Sequence, residues 1–151
     1  MSEPDRHGGL NGRRRVVVGS TLGALALTQV VVGAWALFGP QQFYAGFPGA
    51  GHAWVALLPP FNEHLVRDVG SLSLAVAVVL AVAAVAGTRP LVRTAVGAFS
   101  VYAVPHTVFH GLHLENFGRA DAVAQMAGFG LQLLLALAAL LATFDGSRRG
   151  R

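Results

Sequence analysis

The stretch LVRDVGSLSLAVAVVLAVAAVAG, residues 65–87, decides the fold. Beyond Asp68 it carries no charged residue until Arg89, and alanine, valine and leucine make up most of it. A helix needs about 20 apolar residues to cross the roughly 30 Å of hydrocarbon in a bilayer. The stretch therefore predicts a membrane-spanning helix.

Three more apolar segments of similar length surround it, at residues 16–38, 91–114 and 122–144. The chain of 151 residues is 54% hydrophobic and only 12% charged, whereas a soluble domain usually has about 25% charged residues. We therefore predict an all-α, integral membrane four-helix bundle that forms one domain over residues 16–144. All 11 basic residues are arginine, and alanine, glycine and valine are abundant. This composition is typical of GC-rich bacteria, so the expected location is a bacterial plasma membrane.

The arginines predict the orientation of the four segments. Nine of the 11 lie in the N-terminal tail, around the junction of the second and third segments, or in the C-terminal tail; only Arg67 and Arg119 lie elsewhere. Arginine-rich segments stay in the cytoplasm. Both termini are therefore expected inside, with short disordered tails at 1–15 and 145–151. The outer loop at 39–64 would face outward. The arginines flank apolar segments, so the sequence pI of about 11.1 does not indicate a nucleic-acid partner.

The first segment has a second interpretation as a cleaved signal peptide. Three arginines precede it, and Ala34-Trp35-Ala36 resembles a cleavage site. Its apolar stretch is longer than a signal core, which favours retention. Gly19 and Gly23 form a GxxxG pair suited to close helix packing. We expect close approach at these two glycines and at Gly70 and Gly97.

Three histidines cluster in PHTVFHGLHLENF, residues 105–117. His106, His110 and His113 are spaced i, i+4 and i+7, which places them on one face at the outer end of the third segment. Tyr102 continues this stripe one turn earlier, and Glu115 follows it.

A second polar stripe begins the second segment. His64 and Asp68 are four residues apart, with Glu63 beside them. Ionisable groups in membrane helices usually face the bundle interior, so we expect the two stripes to meet. The sequence predicts an outward-opening pocket lined by His64, Asp68, His106, His110 and His113. Glu63, His52, Glu115 and Tyr102 would form its rim or second shell.

The leading interpretation of this pocket is a divalent transition-metal site in an accessory, sensor or transport-related protein. Imidazole nitrogens suit Zn, Cu, Fe and Ni, and a carboxylate can complete the shell. The chain has no cysteine, which excludes thiolate ligands. Haem, held by His64 and one other histidine, is the weaker alternative because only histidines support it. A third interpretation is a structural or assembly subunit in which the polar cluster locks the helices together.

Other polar and aromatic residues have two interpretations each. Gln29, Gln125 and Gln132 lie within spans and are expected to hydrogen-bond between helices; a conduction path is the alternative. The outer loop carries aromatic side chains among glycines and prolines. They indicate an aromatic belt at the membrane interface, or else a lid over a site at the helix ends. These aromatic residues are Phe43, Tyr44, Phe47 and Trp54.

In length, four spans and cytoplasmic ends, the chain resembles the small bacterial membrane proteins called DoxX-like. The resemblance covers the whole chain and rests on topology. It implies links to quinones and redox partners, so a lipid- or quinone-linked redox protein is a further alternative, and no site residue is transferred from it.

H-x3-H-x2-H also resembles one fragment of the histidine boxes of membrane di-iron enzymes. Those carry several cytoplasmic boxes, and this chain has one on the outer side. Enzymatic activity is therefore left open. The expected partners are the lipid bilayer and a homo-oligomer or larger membrane complex.

Overall fold

The computed structural model describes residue 10, residues 12–58 and residues 60–144. The described residues form five α-helices: α1 Gly12–Phe38, α2 Pro40–Gly46, α3 Glu63–Ala86, α4 Arg89–Gly111 and α5 Arg119–Leu141. The all-α prediction is confirmed, and the four long helices lie close to the predicted segments. α1 begins at Gly12, inside the predicted tail. The remainder of the predicted tails, residues 1–9, 11 and 145–151, lies outside the described residues.

Three of the long helices could cross a membrane by length and composition. They are α1, α3 and α5. Within the described part of the chain α4 is not one of them, although we predicted it as the third span. Its two arginines, two histidines and two prolines replace apolar residues and lower its hydropathy.

The long helices pack as two pairs. α1 makes extensive contact with α3, and α4 packs on α5. The pairs meet where α1 contacts α5 and where α3 contacts α4. Each long helix therefore touches two others, and the space between the pairs is the place for an interior site.

The first end of the molecule, called here the arginine end, contains the start of α1, the α3–α4 turn and the end of α5. Gly87 ends α3 in the left-handed region with φ 61°, where glycine is favoured. Hydrogen bonds between segments at this end include Leu10 N to Gly87 O at 3.1 Å, Arg15 Nη2 to Val85 O at 3.1 Å, and Arg93 Nε to Thr143 Oγ1 at 3.0 Å.

The half of the helices next to the arginine end holds a closely packed core. Its fully buried side chains come from all four long helices, and the largest is Phe99 on α4. The other members include Val18, Leu22, Leu25, Leu80, Val92, Ala95 and Ala139. A cavity of about 320 Å³ lies toward the opposite end.

The closest helix contact joins α1 and α3 at two glycines. A Cβ added to Gly70 would lie 2.6 Å from the backbone N of Leu37, and one added to Gly33 would lie 2.9 Å from Gly70 O. Real Cβ atoms do not come so near. The predicted approach at Gly70 is confirmed, and its partner Gly33 was not predicted.

The other glycines predicted to allow close helix approach do not make contacts as close as that of Gly70. A Cβ at Gly19 would be 3.9 Å from Ala84 O, which is ordinary contact, and Cβ atoms at Gly23 and Gly97 would meet nothing within 4 Å. The expectation is wrong at Gly23 and Gly97. The GxxxG spacing puts two glycines on one face, but the packing of the neighbouring helices decides which face is used.

The opposite end, called here the histidine end, is covered by the loop at 39–62. This loop holds α2, a short hairpin of β1 Pro48–Gly49 and β2 His52–Ala53, and a 3-10 turn at Val55–Leu57. Ala50 and Gly51 form the hairpin turn with positive φ of 54° and 83°, as a type I′ turn requires. Asn62 then caps α3, because its side chain accepts a hydrogen bond from Leu65 N at 3.1 Å.

Aromatic rings fix this loop to the end of α1. Trp35 contacts Phe43 edge-on with ring centroids 5.8 Å apart, and Phe43 lies 4.9 Å from Phe47. Phe47 in turn meets Trp54 at 6.3 Å. Phe43 is buried. The loop therefore folds back onto the helices, which places its aromatic rings over the interior.

Candidate functional site

Two of the three clustered histidines lie together inside the molecule. Their spacing on α4 puts His106 and His110 on one face, with ring centroids 4.5 Å apart. Tyr102 stacks on His106 at 5.2 Å. Phe129 of α5 completes the group at 5.1 Å from His106 and 5.0 Å from His110. The imidazoles are thus embedded among aromatic rings.

His110 is also tied to the neighbouring helix. Its Nδ1 donates a hydrogen bond to Oε1 of Gln125 on α5 at 2.8 Å. Both side chains are buried. The expected hydrogen bonding between helices is therefore observed for Gln125. The bond holds the Nδ1 edge of the His110 ring toward α5.

The third histidine leaves this face. α4 ends at Gly111, so His113 lies beyond the helix. Its Nδ1 bonds to Phe109 O at 2.7 Å, and its ring stacks on Phe109 at 4.1 Å. The prediction that all three histidines project from one helix face is wrong for His113, because the helix stops before it. Glu115 follows in a 3-10 turn and is exposed.

The polar stripe of α3 pairs with itself. His64 Nε2 lies 3.3 Å from Asp68 Oδ2, and their side chains are 87% and 52% exposed. Arg67 pairs with Glu63 at 2.8 Å and also donates to Leu37 O, which ties α3 to the end of α1. These residues occupy the outer surface of α3.

The five predicted ligands do not form one group. Within the described ranges, no three His, Cys, Asp or Glu side chains stand together as a metal-holding group. His106 and His110 are paired in the interior, His113 is bound to its own helix end, and the His64–Asp68 pair is exposed. The metal site stays a prediction.

His52, predicted at the rim, joins the loop to α5. Its Nδ1 is 2.9 Å from Oδ1 of Asp121 in the first turn of α5. Its ring also meets Trp54 edge-on at 6.1 Å. Asp121 was not predicted as a site residue, because nothing in the sequence links the loop to that turn. The pair fastens the hairpin beside Trp54.

A cavity of about 320 Å³, called here the ligand cavity, lies between the two helix pairs below the loop. Ligand sites in proteins usually measure about 300–1,000 Å³. The loop rings Phe43, Phe47 and Trp54 form one wall. The helices supply Thr28, Gln29, Val32, Val69, Tyr102, His106, His110, Ala124, Gln125, Gly128, Phe129 and Gln132.

The walls of the ligand cavity are largely apolar, with a few polar groups. Of the described residues that line it, none is Asp, Glu, Lys or Arg. Two lining residues have a buried polar atom with no hydrogen-bond partner in the described part of the chain: Oε1 of Gln29 and Nε1 of Trp54. Buried polar groups are nearly always paired. The unpaired acceptor and the unpaired donor thus belong to side chains that line one cavity, and both atoms are themselves buried.

Sequence reasoning found part of this cavity. It identified Tyr102, His106, His110 and the three glutamines as interior residues, from their spacing within apolar segments. It gave the aromatic loop a possible role as a lid, and the walls formed by Phe43, Phe47 and Trp54 agree with that role. It missed Phe129 and Gly128, because one apolar residue or glycine within a long apolar segment carries no signal of its own.

Comparisons with known proteins give no family for this chain: no family model, no curated protein and no solved structure matches it.

Proposed function

We propose that this protein is an integral four-helix bundle of a bacterial plasma membrane, with both termini in the cytoplasm and the histidine end outside. Three helices of sufficient length and apolar composition support insertion. The packing of α4 against α3 and α5 supports its insertion with them. The arginines at the start of α1 and of α4 share one end, which supports the orientation.

The function we propose is binding of an uncharged ring compound with hydroxyl or carbonyl oxygens, such as a quinone or phenol, in the ligand cavity. The observation that carries this proposal is a cavity of about 320 Å³ lined by Gln29 and Trp54. Each of these side chains has one buried polar atom without a partner in the described part of the chain, and a rotation of the side chain would bring that atom to a ligand. The DoxX-like resemblance, which implies quinone links, agrees with it.

The walls of the cavity favour an uncharged ligand. A charged group is costly inside a protein unless a partner neutralises it. No acidic side chain, arginine or lysine is found among the described lining residues. An ammonium group would therefore lack a counter-charge there, and a phosphate or carboxylate would gain one only if a buried imidazole took up a proton.

The rings and polar atoms favour a flat, oxygen-bearing ligand. Phe47, Trp54 and Phe129 offer faces and edges for aromatic contact. The Trp54 N–H can donate to a ligand oxygen, and the Gln29 carbonyl can accept from a ligand hydroxyl. A ring with hydroxyl or carbonyl groups satisfies both.

Fluorescence of Trp54 tests the proposal. The chain has two tryptophans, so Trp35→Phe leaves Trp54 as the reporter. A dimethoxy-methyl-benzoquinone bearing a decyl chain is titrated into the purified protein in nanodiscs. We expect saturable quenching in the Trp35→Phe parent, and loss of saturation in Gly128→Phe, which fills the cavity.

A matched control comes from the same helix. Cβ atoms added at Gly128 and Gly130 would both meet nothing within 4 Å, but only Gly128 lines the ligand cavity. Gly130 points about 200° away around α5, so Gly130→Phe should bind like the parent. Equal, linear quenching in all three proteins would leave a helix-locking role for the His110–Gln125 network as the better account.

A metal site is the second candidate, and the His106–His110 pair favours it. The hydrogen bond from His110 Nδ1 to Gln125 leaves Nε2 available and orients the ring, as second-shell partners of metal ligands do. Elemental analysis of the purified protein beside His110→Ala tests it. Near-stoichiometric Zn, Cu, Fe or Ni that disappears in the variant would support the metal, and a Soret band would indicate haem.

A further inference from the structure

A second cavity of about 380 Å³, called here the side cleft, lies between α3 and α4. Apart from Ser73, its own walls are aliphatic: Leu72, Ala75, Val76, Val79, Ala98 and Val101. No ionisable side chain other than Tyr102 lines it within the described residues. Such walls suit a hydrocarbon.

The side cleft adjoins the ligand cavity. Gln29, Val69 and Tyr102 line both spaces. These three side chains form the boundary between the two spaces, so a ring on one side and an apolar chain on the other would both contact them.

The side cleft also opens on the outer surface of the helices. Leu72 and Val101, on its two walls, are 66% and 78% exposed. Leu80 and Phe99, nearer the arginine end, are fully buried and close the seam there. The opening therefore lies on the flank of the helices, toward the bilayer, near the middle of α3 and α4.

We infer that the ligand carries an apolar chain, which lies in the side cleft while the ring occupies the ligand cavity. The protein then takes a chain-bearing lipid sideways from the bilayer. This inference rests on the proposed function, and it adds the apolar chain of the ligand and the route by which the ligand enters. The shared boundary of the two cavities carries it, together with the mainly aliphatic walls along the described part of the side cleft.

Two probes and two variants test the position of the ligand's apolar chain independently of the position of its ring. The probes are the dimethoxy-methyl-benzoquinone alone and the same ring with a decyl chain, both titrated against Trp54 in the Trp35→Phe parent. Ala75→Phe narrows the side cleft. Ala81→Phe is the matched control, because Ala81 is also an exposed alanine of α3 but does not line either cavity.

We expect Ala75→Phe to weaken binding of the decyl probe by about tenfold or more, which is about 1.4 kcal/mol, and to leave binding of the bare ring unchanged. Ala81→Phe should change neither. If Ala75→Phe leaves binding of the decyl probe unchanged, or weakens binding of both probes equally, the decyl chain does not lie in the side cleft. The inference is then overturned, while the ring site stands. If neither probe saturates the parent, the proposed function fails and the inference fails with it.

Discussion

The Nδ1 atom of His110 donates to the side-chain oxygen of Gln125 across 2.8 Å, inside the contact between α4 and α5. The bond places the His110 ring against Phe129 and next to His106. One polar pair thus joins two helices and forms part of the wall of the ligand cavity. Stability and binding are therefore coupled at this position.

The coupling of this pair can be measured by a double-mutant cycle. His110→Leu, Gln125→Leu and the double variant are compared by unfolding in mixed detergent micelles. Hydrogen bonds between membrane helices contribute about 0.6 kcal/mol on average and up to about 1.7 kcal/mol. We expect a coupling energy in this range. His113→Leu with Gln125→Leu is the control cycle, because His113 bonds to Phe109 O instead. Equal coupling in both cycles would contradict a specific bond.

The α1–α3 contact should not accept a methyl group. Gly70→Ala would force a Cβ to 2.6 Å from Leu37 N, and we expect a loss of about 1–3 kcal/mol, the usual cost of overpacking. Gly23→Ala is the control, since its Cβ meets nothing within 4 Å. Because alanine favours helix over glycine by up to about 1 kcal/mol, Gly23→Ala should be neutral or stabilising. Similar unfolding midpoints for the two variants would contradict the contact.

The His52–Asp121 pair should hold Trp54 in place without adding much stability. Partly exposed ion pairs contribute about 0–1 kcal/mol, so His52→Ala should change unfolding by less than about 1 kcal/mol. In the Trp35→Phe background it should increase quenching of Trp54 by acrylamide, because the hairpin loses its attachment to α5. His64→Ala breaks an exposed pair on α3 and should not change the quenching. A similar rise in both variants would show that the attachment is not specific.

The orientation can be tested by labelling, because the chain has no cysteine. Gln41→Cys places a thiol on the exposed side of α2, and Ser147→Cys places one in the C-terminal tail. An impermeant maleimide should label the first variant in intact cells and the second only after lysis. The reverse pattern would overturn the orientation. The intact mass of the same samples shows whether α1 is retained, as we expect, or cleaved as a signal peptide.

The positions of the long helices were predictable from the sequence, because apolar segments of about 20 residues are a strong signal. The pairing of those helices was not. Gly19 and Gly23 carry the familiar GxxxG spacing, yet Gly33 and Gly70 make the close contact, since spacing defines a face but not its partner. The His64 and Asp68 stripe was expected inside and lies outside, because an imidazole and a carboxyl group four residues apart on a helix can contact each other.

The candidate site was partly predictable for a similar reason. Polar residues inside apolar segments are conspicuous, so Tyr102, His106 and the glutamines were identified. His113 was misplaced, because a helix end three residues earlier than expected changes its direction. The cavity itself depends on how the two helix pairs separate and how the aromatic loop folds over them. No local pattern encodes either arrangement.

Photoaffinity labelling tests the ligand cavity most directly. A benzoquinone carrying a decyl chain and a photoactivatable group on the ring is added to the protein in bilayer vesicles, irradiated, and mapped by peptide mass spectrometry. The account predicts labels on α4 near Tyr102 and His106 and on α5 near Phe129. Excess unlabelled probe and Gly128→Phe should both suppress these labels, and Gly130→Phe should not. Labels spread over exposed residues such as Val85 and Leu134, without competition, would contradict a binding cavity.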